Sequence, residues 1–306
     1  MIDAHGDGMV DDAVLADQTG DNGLALVLRA ADGGLHSLRS GYNPELNDNP
    51  KNFVSGDFNV DGRDDVALAG FSRISVFLNQ IDGEQITPPF SEPLILAGRE
   101  QIGIAAPRAL LAEDLDSDGN LDLIASGYFR LPGEARSRAS ISVMRGRGDG
   151  SFFAAQVYYT HLTWTSSRDL DIGDIDGDGD IDAALPIAYQ DSNESYGYIA
   201  LFMNRGDGTF ESRVISAGAL KAETVGIGDL NGDGLAELVI GTNMYNPGIL
   251  RVMIQSVSGS FRIGQTIFPS SFAGKTPYSM FLVGPDVDGD GKRDVIAGRG
   301  GWTQAT

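Results

Sequence analysis

Short apolar runs of four to eight residues alternate along the chain with clusters of Gly, Asp and Asn, and no stretch repeats its hydrophobic residues with a helical period. DVALAG (65–70), LDLIASG (121–127), IDAALP (181–186), AELVIG (236–241) and RDVIAG (293–298) are nearly continuous in apolar side chains. Alternating runs come next, namely ISVFLNQ (74–80), ISVMRG (141–146), IALFMN (199–204) and LRVMIQ (250–255). Turns such as GDGSFF (148–153) and GDGTFE (206–211) lead into further strands, among them FESRVIS (210–216) and SFRIGQTI (260–267). TVGIGDL (224–230) has the form of the strand that opens each set. This pattern predicts about four short antiparallel strands in every period of roughly 57 residues, which is one blade of a β-propeller. Sheets stacked face to face bury both faces of each strand, and that accounts for the continuous apolar runs.

The turns carry a second pattern. D-x-[DN]-x-D-G-x-x-[DE] reads DFNVDGRDD from Asp57, DLDSDGNLD from Asp114, DIDGDGDID from Asp174, DLNGDGLAE from Asp229 and DVDGDGKRD from Asp286. A degenerate copy, DAHGDGMVD, starts at Asp3, and the six starts lie 54, 57, 60, 55 and 57 residues apart. A two-sheet sandwich would have similar turn composition but no reason for one strict acidic loop per period.

These blocks, above all GDIDGDGDIDAAL through ALFMNRGDGTF (173–210), resemble the FG-GAP and VCBS repeats of integrin α-subunit headpieces and of bacterial secreted proteins. The resemblance extends over essentially the whole chain. It implies an all-β fold, a propeller of four-stranded antiparallel blades with calcium on the loop between the first and second strands. The expectation is one domain over 1–306, with repeats starting near 1, 51, 108, 168, 223 and 279. Three strands after the first loop, four whole blades and two final strands can be placed. That falls short of six closed blades, so an incomplete arc of a larger propeller is preferred over five blades with a strand to spare.

The loop chemistry itself suits calcium, which takes six to eight hard oxygens in a tolerant geometry, whereas magnesium demands a stricter octahedron. Side chains at positions one, three, five and nine and the carbonyl at position seven can converge on one centre. The ligand sets are Asp57, Asn59, Asp61, Arg63 and Asp65; Asp114, Asp116, Asp118, Asn120 and Asp122; and Asp174, Asp176, Asp178, Asp180 and Asp182. Two more are Asp229, Asn231, Asp233, Leu235 and Glu237, and Asp286, Asp288, Asp290, Lys292 and Asp294. The opening copy offers Asp3, Asp7 and Asp11 but has His5 at position three, so it is expected to be the weakest of up to six calcium sites. Glu237 has a longer arm than the Asp it replaces, which displaces the last oxygen. No Glu at position twelve and no flanking helices support an EF-hand.

Charge sharpens this reading. The chain carries 43 acidic against 22 basic residues, a net charge of −21. Positions one, three, five and nine of the loops hold 21 of those carboxylates, and six calcium ions would leave a net charge near −9. Nucleic acid as a partner is disfavoured, because phosphate binding needs a basic face. No apolar run approaches the ~20 residues of a membrane helix, so insertion into a membrane is not expected. With no cysteine, disulfides and Cys-ligated zinc are excluded. No signal peptide is visible in this chain, yet millimolar extracellular calcium is what would fill such loops, so a secreted or cell-surface location is expected.

Two RGD tripeptides, at 147–149 and 205–207, fall in the repeated GDG hairpin turns and are read as turns. The three histidines, His5, His36 and His161, are scattered and no catalytic triad or phosphate loop occurs. The irregular segments 42–52, 127–140, 160–169, 187–198, 242–248 and 270–279 fall on the face opposite the acidic loops. They supply Tyr42, Tyr128, Arg130, Arg136, Trp164, Arg168, Tyr189, Tyr196, Tyr245 and Tyr278 as candidates for a protein or glycan ligand. The readings that remain open are a non-catalytic calcium-stabilised module for binding or adhesion, a propeller of a secreted carbohydrate-active lyase or glycosidase, and a structural spacer.

Overall fold

The computed structural model describes residues 52–80, 90–97, 102–163, 165–166, 169–190, 195–218, 221–242, 249–267, 278–283, 286–289 and 292–300, and the backbone of 13–16, 24–29 and 35–39. Strands β1 (Ala13–Ala16), β2 (Leu24–Arg29) and β3 (Leu35–Arg39) form a three-stranded sheet. The Asp57 blade follows as β4 (Asn52–Gly56), β5 (Asp65–Ala69), β6 (Arg73–Phe77) and β7 (Leu94–Ala97), paired in that order. The Asp114 blade consists of β8 (Leu110–Glu113), β9 (Asp122–Phe129), β10 (Arg138–Met144) and β11 (Gln156–Thr163).

In the Asp174 blade, β12 (Thr165–Ser166) and β13 (Asp171–Gly173) both pair with β14 (Asp182–Gln190), which pairs on with β15 (Ser195–Asn204) and β16 (Phe210–Ser216). The Asp229 blade is β17 (Ala222–Gly228), β18 (Glu237–Thr242), β19 (Leu250–Gln255) and β20 (Phe261–Ile267). A hairpin of β21 (Tyr278–Val283) and β22 (Val295–Gly300) comes last. Among the described residues there is no helix. With β12 and β13 taken as one interrupted strand, the succession is three strands, four four-stranded blades and two strands, as the sequence pattern predicts.

Every blade is an antiparallel meander, so the first-to-second and third-to-fourth connections emerge at the same end. The second strands are the driest. All five residues of β5 are buried, as are the first six of β9 and of its partner β10 after Arg138. Burial on both faces explains why these runs read as continuously apolar instead of alternating. Small residues at their centres, such as Ala67, Ala125 and Ala184, let the neighbouring sheet approach.

The chain divides into two compact units, residues 1–127 with 141–157, and residues 128–140 with 158–306. The first is built on Phe58, Ile74, Val76, Leu110, Leu123 and Met144, with Phe58 and Phe152 meeting edge to face at 5.8 Å. The second is built on Ile175, Ile199, Leu201, Ile227, Leu238 and Ile240. Each such aliphatic side chain withdrawn from water contributes about 1.5–3 kcal/mol, so these cores fix the blades and set the loops at their ends.

Candidate metal centre

Within each acidic loop the position-one Asp wraps the turn. Asp57 accepts hydrogen bonds from the N–H groups of Asp61 (3.0 Å) and Gly62 (2.7 Å), and Asp114 from those of Asp118 (3.1 Å) and Gly119 (2.9 Å). Asp174 takes those of Gly177 and Gly179, and Asp229 those of Gly232 and Gly234. The position-six glycine stands at a φ of +88° in both of the first two loops, where a Cβ would be strained. Position four is left-handed as well, and there Val60 and Ser117 take a φ of 58° without being glycine.

The position-nine carboxylate has a second role that sequence reasoning missed. Asp65, Asp122 and Asp182 are 0%, 0% and 1% exposed. One oxygen of each accepts the N–H at position two: Phe58 (3.0 Å), Leu115 (3.1 Å) and Ile175 (3.0 Å). The other oxygen accepts an N–H at the end of the third strand, from Asn79 (2.7 Å), Gly146 (2.8 Å) and Asn204 (2.7 Å). The carboxylate therefore ties the loop to the end of the third strand of its own blade. Asn79 and Asn204 add a side-chain bond to the carbonyls of Asp64 and Ile181, while Gly146 has no side chain to do so. The asparagines that end FLN (77–79) and FMN (202–204) were the legible trace of this latch.

Burial without a counter-ion pushes these carboxyls upward: Asp65 to about 7, Asp182 to about 7 and Asp122 to about 6, with the loop's other aspartates adding to the effect and the backbone donors opposing it. Asp176 and Glu237 are raised chiefly by burial too. Such an arrangement favours whatever neutralises it, a proton or a cation.

Three loops bring carboxylate oxygens together. Asp114, Asp116 and Asp122, then Asp174, Asp176 and Asp182, then Asp286, Asp288 and Asp294 each present oxygens within 4.8 Å of one another. Positions one, three and nine thus converge, and Asp116 Oδ1 is buried with no hydrogen-bond partner. The position-five carboxylates turn an oxygen instead to the position-seven N–H, Asp118 to Asn120 and Asp178 to Asp180.

The other two described loops are closed differently. Asn59 donates to Asp61 (3.1 Å), and the Arg63 guanidinium pairs with the same carboxylate at 2.7 Å. In the Asp229 loop, Glu237 accepts from the N–H groups of Leu230 (3.0 Å) and Asn231 (3.2 Å), and the Asn231 amide donates to its other oxygen at 2.7 Å. The longer Glu arm reaches deeper into the loop and is satisfied by hydrogen bonds. Asp3, Asp7, Asp11 and Asp290 lie outside the described residues, as does His5.

A family model described as an FG-GAP-like repeat matches residues 57–125, 114–185, 187–240 and 229–297. The chain belongs to the FG-GAP repeat family. The acidic loops at Asp57, Asp114 and Asp229 open three of the matched FG-GAP segments. Integrin alpha-E of Homo sapiens is similar to this FG-GAP chain, with 28% identity over 166 residues, which is 47% of the chain and 14% of the integrin. The chain thus corresponds to a small part of that relative's length.

The RGD segments of these FG-GAP repeats are turns. Arg147 and Arg205 donate their N–H groups to the carbonyls of Ser151 and Thr209, and Asp149 and Asp207 accept from the N–H groups of the same residues. Arg205 pairs with Glu211 (3.0 Å). Of the candidates for the opposite face, Tyr128 is half-buried and Arg130 and Arg136 belong to the described segment 128–140, with Arg130 exposed. The side chains of Tyr42, Trp164, Arg168, Tyr189, Tyr196, Tyr245 and Tyr278 lie outside the described residues.

Two further carboxylates went unnoticed in the sequence. Asp169 accepts from Val225 N–H (3.1 Å) and Asp171 from Ile227 N–H (2.8 Å), joining the interrupted strand of the Asp174 blade to β17. Burial raises both, Asp169 to about 6. Only this blade has acidic residues three and five positions before its loop.

Proposed function

We propose that this chain is a calcium-stabilised, extracellular binding or adhesion module without catalytic activity. The observation that carries the reading is the convergence of three carboxylates in each of three loops, from half-buried to buried throughout the Asp114 loop, where one oxygen of Asp116 is buried without a partner. Asp114, Asp116 and Asp122, Asp174, Asp176 and Asp182, and Asp286, Asp288 and Asp294 would hold the ion first. The Asp57 and Asp229 loops, with internal donors at position three, would follow more weakly, and the Asp3 loop, with a histidine there, weakest of all.

When bound, calcium supplies positive charge to crowded oxygens. The chain's own residues do the rest: the position-one Asp folds the turn, and the position-nine Asp locks it to the neighbouring turn of its blade. With the acidic loops given over to the ion, the connections at the other end of each blade, such as the one between β9 and β10 that carries Arg130 next to Tyr128, are left to meet a protein or glycan. Similarity to part of an integrin α-chain supports a surface-exposed protein that binds other proteins.

Thermal unfolding in 10 mM calcium against excess chelator tests the metal. A site with a Kd ten times below the calcium concentration adds about 1.4 kcal/mol, so three such sites raise the melting temperature by several degrees. An unchanged melting temperature rejects the reading. Binding screens on immobilised extracellular proteins and glycans test the ligand, and turnover of a polysaccharide would replace the non-catalytic reading with an enzymatic one.

A further inference from the structure

The Asp114 and Asp174 loops both hold Asp at positions one, three, five and nine, and differ at position seven, whose ligand is the backbone carbonyl, in having Asn120 and Asp180. Their surroundings differ. Arg145 Nη1 stands 3.4 Å from Asp116 Oδ2, with the arginine side chain 39% and the aspartate 12% exposed. Arg145 is the residue just before Gly146, whose N–H binds the position-nine carboxylate. Its counterparts, just before Asn79 and Asn204, are Leu78 and Met203. A cation therefore faces position three in one blade, while apolar side chains occupy the same place in its neighbours.

Arg145 also has somewhere else to go. Its guanidinium carbon lies 5.8 Å from the ring centre of Phe153, which is 48% exposed. That ring is shared with Arg147, at 4.2 Å. Arg145 thus lies between an aromatic face that already holds a guanidinium and the Asp116 carboxylate.

Resting on the calcium reading above, we propose that Arg145 is a tethered cation that competes with calcium for Asp116, so that the Asp114 loop fills at higher calcium than the Asp174 loop. Calcium binding at the first requires Arg145 to give up Asp116; at the second, no cation stands in the corresponding position, where the chain has Met203. Half-exposed ion pairs are screened, so the effect is modest: a roughly two- to fivefold difference in midpoint calcium concentration.

The position-six amides report each loop separately, because Gly119 N–H is bonded to Asp114 and Gly179 N–H to Asp174. Calcium is titrated into the isotopically labelled full chain, and the Gly119 and Gly179 amide resonances are followed by NMR. The wild type gives a higher midpoint for Gly119 than for Gly179. Arg145→Met, which installs the residue found in the next blade, lowers the Gly119 midpoint two- to fivefold and leaves Gly179 in place. Arg145→Lys keeps the charge and the wild-type midpoint. A Gly119 midpoint unmoved by Arg145→Met overturns the competition, as does an equal drop with Arg145→Lys, which would trace the effect to packing. If neither resonance moves at 10 mM calcium in any variant, the metal reading itself falls and the competition with it.

Discussion

Withdrawing divalent ions should leave a protein that is more stable in mild acid than at neutral pH. Asp182 shows why. It is 1% exposed, accepts the Ile175 and Asn204 N–H groups, and is pushed up to about 7 from an ordinary 3.8. Between those two pH values the folded chain holds a proton that the unfolded chain has released, so stability falls as pH rises. At about 1.36 kcal/mol per pH unit, Asp182 alone weakens the fold by on the order of 4 kcal/mol across the window. Asp65, also at about 7, and Asp122, at about 6, act in the same direction. The stability they provide is fully present below pH 3.8 and is lost as pH passes through 6 to 7. Asp149 and Asp207, held below the usual carboxylate range by Ser151 and Thr209, oppose this only in strong acid.

Calcium should reverse the trend, because its ligands must give up their protons before they bind. Melting temperatures measured from pH 5 to 7.5, once in chelator and once in 10 mM calcium, would give lines of opposite slope. Asp182→Asn, which cannot ionise, flattens the chelated slope by the share of one site. A chelated melting temperature that holds constant or rises from pH 5 to 7.5 refutes the reasoning, because it means the buried carboxylates are neutralised by something other than protons.

Asn231→Asp gives the Asp229 loop four carboxylates in place of a loop closed by its own amide; it should lower the melting temperature in chelator, tighten calcium binding at one of the weaker sites in calorimetry, and recover stability in calcium. Asp171→Ala leaves the Ile227 N–H without its acceptor and should cost about 1–3 kcal/mol in denaturant titration. Gly146→Ala should destabilise the chain by at least about 2 kcal/mol in thermal melts, since its Cβ would collide with the backbone carbonyl of Leu121. An alanine at the freely exposed Gly133 serves as the control for the last, as nothing stands within 4 Å of its Cβ, and should lose only the cost of its φ of +83°.

The fold was largely written in local pattern. Apolar runs such as DVALAG and AELVIG at a near-constant spacing, each behind a D-x-[DN]-x-D-G turn, determine strand, turn and repeat with no knowledge of neighbours, because hairpin connectivity is short-range. That the carboxylates at positions one, three and nine converge in three loops was readable for the same reason: they belong to one nine-residue turn. What decides how those turns behave lies across the sheet. That Asp122 is latched by Gly146, that Arg145 stands over Asp116 while Met203 occupies the same place one blade on, and that Asp169 and Asp171 bind β17, are facts of packing between residues 24 to 56 positions apart. A sequence records which groups carry charge; only the folded arrangement of sheets sets which of them lose water together, and desolvation is what separates carboxylates that are identical on paper.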